Sequence, residues 1–96
     1  MQVKNKTRLI TELAKSVENP WEFVEALIAL EGLSDAEAAE KIRISVAHLY
    51  VLRNEKKMGL KIGLKISEGF GINPQVLNHV IADYNLRVLQ ENLKQQ

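Results

Sequence analysis

The sequence predicts an all-α protein, a compact bundle of about five to six helices, and three observations carry that prediction. Helix-start signals recur along the chain, as Asn19-Pro20-Trp21-Glu22, as Ser34 with Glu37, and as Asn73-Pro74. Apolar residues follow each of them at helical spacing. Only Leu60 to Ile66 alternates like a strand, and no second alternating run exists to pair with it.

Taken in order, Leu9, Ile10, Leu13, Ala14 and Val17 form an amphipathic first segment. Asn19 is an N-cap residue, Pro20 fits the first helical position because its missing N–H would be unpaired there anyway, and Glu22 can close a capping box. The helix they open carries Trp21, Val24, Leu27 and Ile28 on one face, and Gly32 ends it by tolerating a left-handed exit. Ser34 with Glu37 repeats the capping box, so the next helix starts two residues later. The run Leu60-Lys61-Ile62-Gly63-Leu64-Lys65-Ile66 reads as a short helix continuing through Ser67 to Phe70, since a lone strand would leave its backbone groups unpaired. Asn73-Pro74 opens a last helix with the stripe Leu77, Val80, Ile81, Tyr84 and Val88, running toward the C-terminus.

The chain has 96 residues, a net charge of +1, 46% hydrophobic and 26% charged content and no cysteine. This is the composition of one small globular domain, expected over residues 1–96, with an N-terminal helix in 1–18, a core in 19–82 and a helical extension in 83–96. Disulfides, thiol nucleophiles and thiolate zinc sites are excluded. No apolar stretch of secretory or membrane-spanning length follows Lys4, so a cytoplasmic location is expected. The charge is unevenly spread. Residues 45–67 hold Arg53, Lys56, Lys57, Lys61 and Lys65 against Glu55 alone, a net of +4, whereas every other segment is slightly acidic. Such a window is either an anion-binding surface or a solvated lysine-rich loop.

The most informative stretch runs from Ser34 to Asn54. Asp35, Ala38, Ala39 and Ile42 share one helix face, and the alanines let a neighbouring helix approach closely. Arg43, Ile44 and Ser45 separate this helix from the next, with Ser45 as its N-cap. In the second helix Leu49 and Leu52 point inward, which leaves Ala47, Tyr50, Val51 and Asn54 on the outer face beside a basic flank. Two helices joined by so short a turn are the geometry that inserts a helix into a DNA major groove.

These residues resemble the phage lambda repressor-like family of helix-turn-helix proteins, also called the xenobiotic-response-element family. The resemblance rests on Ser34 to Ile42, Ile44-Ser45, Leu49 and Leu52, then Leu64 to Ile72, and it covers roughly residues 20–82. Arg43 stands where the family most often has glycine, and Val46, Ala47 and Val51 are apolar where base-reading residues often lie. A narrower resemblance, to the antitoxins of the host-inhibition-of-growth systems, rests on Asn19 to Val24 and on Leu77 through Arg87, where Tyr84-Asn85-Leu86 is similar to their Tyr-Asp-Leu ending, with Asn in place of Asp.

The resemblance implies a sequence-specific regulator, a repressor of phage or mobile-element type, binding double-stranded DNA as a homodimer; the alternative is an antitoxin or adaptor whose scaffold mainly grips a protein partner. Val46, Ala47, Tyr50, Val51 and Asn54 are expected to face bases, and Ser45, His48, Arg53, Lys56, Lys57 and Lys61 to meet phosphates. For His48 a partly buried imidazole is the competing reading. Tyr84, Val88, Leu89 and Leu93 are expected at a dimer or partner contact, unless the two terminal helices pack on each other within one chain.

No enzyme, cofactor or metal is expected. His79 and Asp83 make only a two-residue surface pair. Glu22, Glu25 and Glu31 lie on an ordinary solvated helix face, and the glycines form no phosphate loop. Trp21 belongs to the core by its spacing.

Overall fold

The computed structural model describes residues 2–94, with side chains from residue 8 onward. Among the described residues six helices follow one another, α1 (Gln2–Ser16), α2 (Pro20–Glu31), α3 (Asp35–Ile42), α4 (Val46–Glu55), α5 (Leu60–Phe70) and α6 (Pro74–Lys94). Among the described residues there is no strand. No helix among the described residues is long and apolar enough to cross a membrane.

The starts and stops follow the local chemistry. At α2 the Glu22 N–H donates to Asn19 Oδ1 at 3.0 Å. The Glu22 carboxylate reaches the Glu18 N–H at 2.8 Å, one residue before the cap, and so differs from the expected capping box. At α3 the box is complete, with Glu37 N–H donating to Ser34 Oγ and Ser34 N–H to Glu37 Oε1. The Ser34 backbone N–H, and after it the Ser34 hydroxyl, hold the Glu37 carboxyl below its ordinary range.

The alternating run resolves into two helical rows in α5. Ile62, Ile66 and Phe70 face the core and Leu60 and Leu64 face solvent, because a period of two also places every fourth residue on one helix face. Gly69 explains how α5 lies so close to α3: a Cβ there would collide with the Lys41 carbonyl oxygen. Gly63 does the same against α6, where a Cβ would come within 2.5 Å of Ile81 Cδ1.

One core joins all six helices through Ile10, Trp21, Phe23, Leu27, Ile42 and Leu49 and, from the second half, Met58, Ile66, Phe70, Leu77 and Ile81. The helix α6 contacts α1, α2 and α5, while α3 contacts α4 and α5. The two terminal helices therefore do pack within one chain. Beyond that contact, α6 continues unbroken across the expected boundary at residues 82 and 83, and its last turns are exposed.

Candidate nucleic-acid interface

The turn between α3 and α4 is set by two backbone bonds. Arg43 N–H donates to the Glu40 carbonyl at 3.1 Å and Ile44 N–H to the Ala39 carbonyl at 3.0 Å. This is a Schellman exit, and it demands a left-handed residue, here Arg43 at φ 68°. A non-glycine residue costs roughly 1–2 kcal/mol in that region, offset by the half-buried Ile44 that packs on the core next to it. Ser45 then caps α4, its Oγ accepting from the His48 N–H at 3.0 Å. With Leu49 and Leu52 buried, α4 is fixed in rotation and its other face is forced outward.

On that outer face Ala47, Tyr50, Val51 and Asn54 are exposed as expected, Tyr50 at 51% and Val51 at 49%. Val46 is not with them. It is half-buried against the core, since the first turn of α4 lies on the body of the protein. His48 is also half-buried. Lys56, Lys57 and Lys61 are exposed in the loop and in the first turn of α5, and Lys56 ends α4 at φ 64°.

Arg53 has a task other than the phosphate contact expected of it. Its Nη2 and Nη1 hold the two oxygens of Asp35 at 2.9 and 3.1 Å, and its Nε and Nη2 hold the two oxygens of Glu25 at 3.0 and 3.2 Å. The Trp21 Nε1–H donates to the same Glu25 at 2.7 Å, and the Trp21 and Tyr50 rings lie 5.6 and 5.7 Å from the guanidinium carbon. Hydrogen bonds from Arg53 hold the Asp35 carboxyl below its ordinary range against the opposing effect of burial; the Arg53 charge and the Tyr50 hydroxyl add to them. Asp35 and then Glu25, in turn, keep the guanidinium charged. Glu25 is thus half-buried in a network joining α2, α3 and α4, which corrects its reading as part of a solvated face. The signals were the four-residue spacing from Trp21 to Glu25 and a bidentate donor in the last turn of α4, but nothing in the sequence paired them across helices.

With Arg53 matched by two carboxylates, the open positive charge of the window rests on Lys56, Lys57, Lys61 and Lys65. Lys65 also lines a cleft of about 290 Å³ with Lys41, Arg43, Glu68 and Gly69, where the turn meets α5. Lys41 there is paired with Glu31 at 3.4 Å. Lys65 belongs to the basic window read from the sequence but not to the expected phosphate contacts, and Arg43 belongs to neither.

At the other end, the residues expected at a dimer or partner contact divide between two faces of α6. Tyr84 and Val88 are half-buried and continue the core-facing row of Leu77 and Ile81. Leu89 and Leu93 are 55% and 60% exposed and share the opposite face with Leu86. Among the described residues no three of His, Cys, Asp and Glu stand together as metal ligands. Comparison with protein-family models, curated proteins and solved structures finds no match.

Proposed function

We propose that this protein is a sequence-specific double-stranded DNA-binding regulator of the lambda repressor-like helix-turn-helix type, a cytoplasmic repressor that occupies operator DNA as a homodimer. The observation that carries the reading is the α3–α4 pair. Two capped helices joined by residues 43–45 hold Ala47, Tyr50, Val51 and Asn54 outward, beside Lys56 and Lys57, which have no ion pair with a described residue. Lysines at the exit of such a helix can hold phosphates while its outer side chains reach base edges, and Ala47 and Val51 suit thymine methyl groups. The Arg53 network serves this by fixing the angle at which α4 leaves the body. A gel-shift titration against the gene's own upstream region, repeated at several salt concentrations, tests it. Saturable binding that weakens steeply with salt is expected. Absence of binding above that of an unrelated acidic protein at low salt rejects it.

A second reading is favoured by the apolar character of the same face. Tyr50 and Val51 are half exposed, and Arg53 is withdrawn from the basic window. On this reading the protein is an antitoxin or adaptor that grips a protein, such as a toxin or another regulator, through its helical scaffold. Tyr50→Ala separates the two, because loss of DNA binding supports the first and loss of a co-purifying partner with DNA binding intact supports the second.

A further inference from the structure

A cleft of about 490 Å³ opens between α1 and α6, well away in sequence from the α3–α4 pair. Its volume lies within the roughly 300–1,000 Å³ of small-molecule sites. Apolar side chains form its floor, Ala14 and Val17 from α1 and the following linker, Val76 and Val80 from α6. Polar groups stand around it: Lys15 on one side, His79, Asp83 and Arg87 on the other.

We propose that this cleft binds a small amphipathic acid, an aliphatic chain ending in a carboxylate. The charge pattern decides the sign. Asp83 is the acid of the cleft, and Arg87 already pairs with it at 3.3 Å. Arg87 also donates from Nη2 to the Glu18 carbonyl at 3.0 Å and stands 5.8 Å over the Tyr84 ring, which leaves Nη1 without a hydrogen bond to a described residue. Lys15 is exposed and has no ion pair with a described residue, so the rim carries an unmatched positive charge. An amine would meet Lys15 and Arg87 as like charges. A bare inorganic anion would leave the valine floor wet, and a hydrocarbon would gain nothing from the Lys15 charge. Only an apolar body with a terminal anion matches both parts.

The site also explains what such a ligand would do to the protein. Of the described side chains in α1, only Ile10 is buried, while Leu13 and Ala14 are half-buried. A chain lying on Ala14, Val17, Val76 and Val80 adds apolar contact between α1 and α6, and by mass action it raises the stability of the folded form. This inference is independent of the DNA-binding reading.

The test is a nitrogen-15 amide titration of the full chain with octanoate, with octylammonium as the control of opposite charge, and with thermal melting alongside. Octanoate is expected to shift the amides of residues 11–17 and 73–87 saturably and to raise the melting temperature, whereas octylammonium leaves both unchanged. Lys15→Glu, at an exposed position that leaves the fold intact, should weaken octanoate about fivefold or more by reversing the charge at the rim that has no ion pair with a described residue. Failure of octanoate to saturate, shifts that map to other helices, equal binding of octylammonium, or unchanged affinity in Lys15→Glu would each overturn the proposal.

Discussion

Arg53, in the last turn of α4, grips Asp35, the first residue of α3, with two parallel hydrogen bonds of 2.9 and 3.1 Å. This fork-to-carboxylate geometry resists rotation as well as separation, unlike a single lysine contact. Because Glu25 takes the remaining edge of the guanidinium, the clamp ties the exit of α4 to both α2 and α3. Arg53→Ala should therefore destabilise the fold by about 1 kcal/mol, the upper end for an exposed pair, read as a lower urea midpoint. Arg53→Lys should recover little of it. If the outer face of α4 reads DNA, Arg53→Ala should lower affinity without flattening the salt dependence, since the Arg53 charge is already neutralised within the protein.

The Asp35 carboxyl gives that clamp a pH dependence with a defined sign. Its folded value lies below the ordinary 3.8, so its contribution is fully present above pH 3.8 and is lost as pH falls through the lower folded value. Asp35→Asn should make the protein less stable at neutral pH. The two stability curves should converge once the pH has fallen through that lowered folded value, which thermal melts across an acid series would show. Parallel curves would mean that Asp35 is not the group being titrated.

Much of this architecture was legible in the sequence because its signals are local. Caps at Asn19, Ser34 and Ser45 and the exit at Gly32 act within a few residues of themselves, and each stands where expected. The helix over Leu60–Phe70 followed from the absence of a pairing partner. What could not be read depends on contacts between helices. Nothing near Arg53 in the chain marks its two carboxylates, which are 18 and 28 residues away. The half-burial of Val46 likewise depends on where α4 sits on the core, and the split of the α6 leucines from Tyr84 depends on where α6 leaves it.

Gly69→Ala should destabilise the protein although alanine is the better helix former. Propensity alone favours alanine by about 1 kcal/mol. Here the new Cβ meets the Lys41 carbonyl oxygen, a backbone atom that cannot rotate aside, so α5 must move off α3 at an overpacking cost of roughly 1–3 kcal/mol. A lower melting temperature with unchanged helical circular dichroism is the expected result. Stabilisation would show that the two helices have room to separate.

If the outer face of α4 reads DNA, the lysines and the tyrosine should behave differently. Lys56→Ala or Lys57→Ala should weaken binding to all sequences alike and reduce the slope of log affinity against log salt by about 1. Tyr50→Ala should cost roughly tenfold at the preferred site and less on random DNA, because its exposed ring stands with Ala47, Val51 and Asn54 rather than in the lysine loop. Parallel competition titrations with specific and random duplexes measure both. Equal losses for Tyr50→Ala on the two duplexes would reduce Tyr50 to its contact with Asp35 and Arg53.

The two faces of α6 make the assembly question specific. Leu86, Leu89 and Leu93 lie at spacings of three and four residues, so they form one exposed row, and Tyr84 and Val88 lie on the opposite, core-facing side. A dimer placing two copies of α4 about one DNA turn apart requires a contact outside the α3–α4 pair, and this leucine row is apolar surface that α1 does not cover. Leu89→Glu combined with Leu93→Glu should then give a monomer with the helical content of the parent, because charge is costly in a desolvated seam and harmless on a solvated helix. Val88→Ala should act the other way, lowering the melting temperature of the single chain while leaving its association constant unchanged. Sedimentation velocity with circular dichroism reads both variants. A parent chain that stays monomeric at high concentration would remove the leucine row as a dimer contact, and loss of helicity in the double glutamate variant would assign those leucines to the fold of one chain.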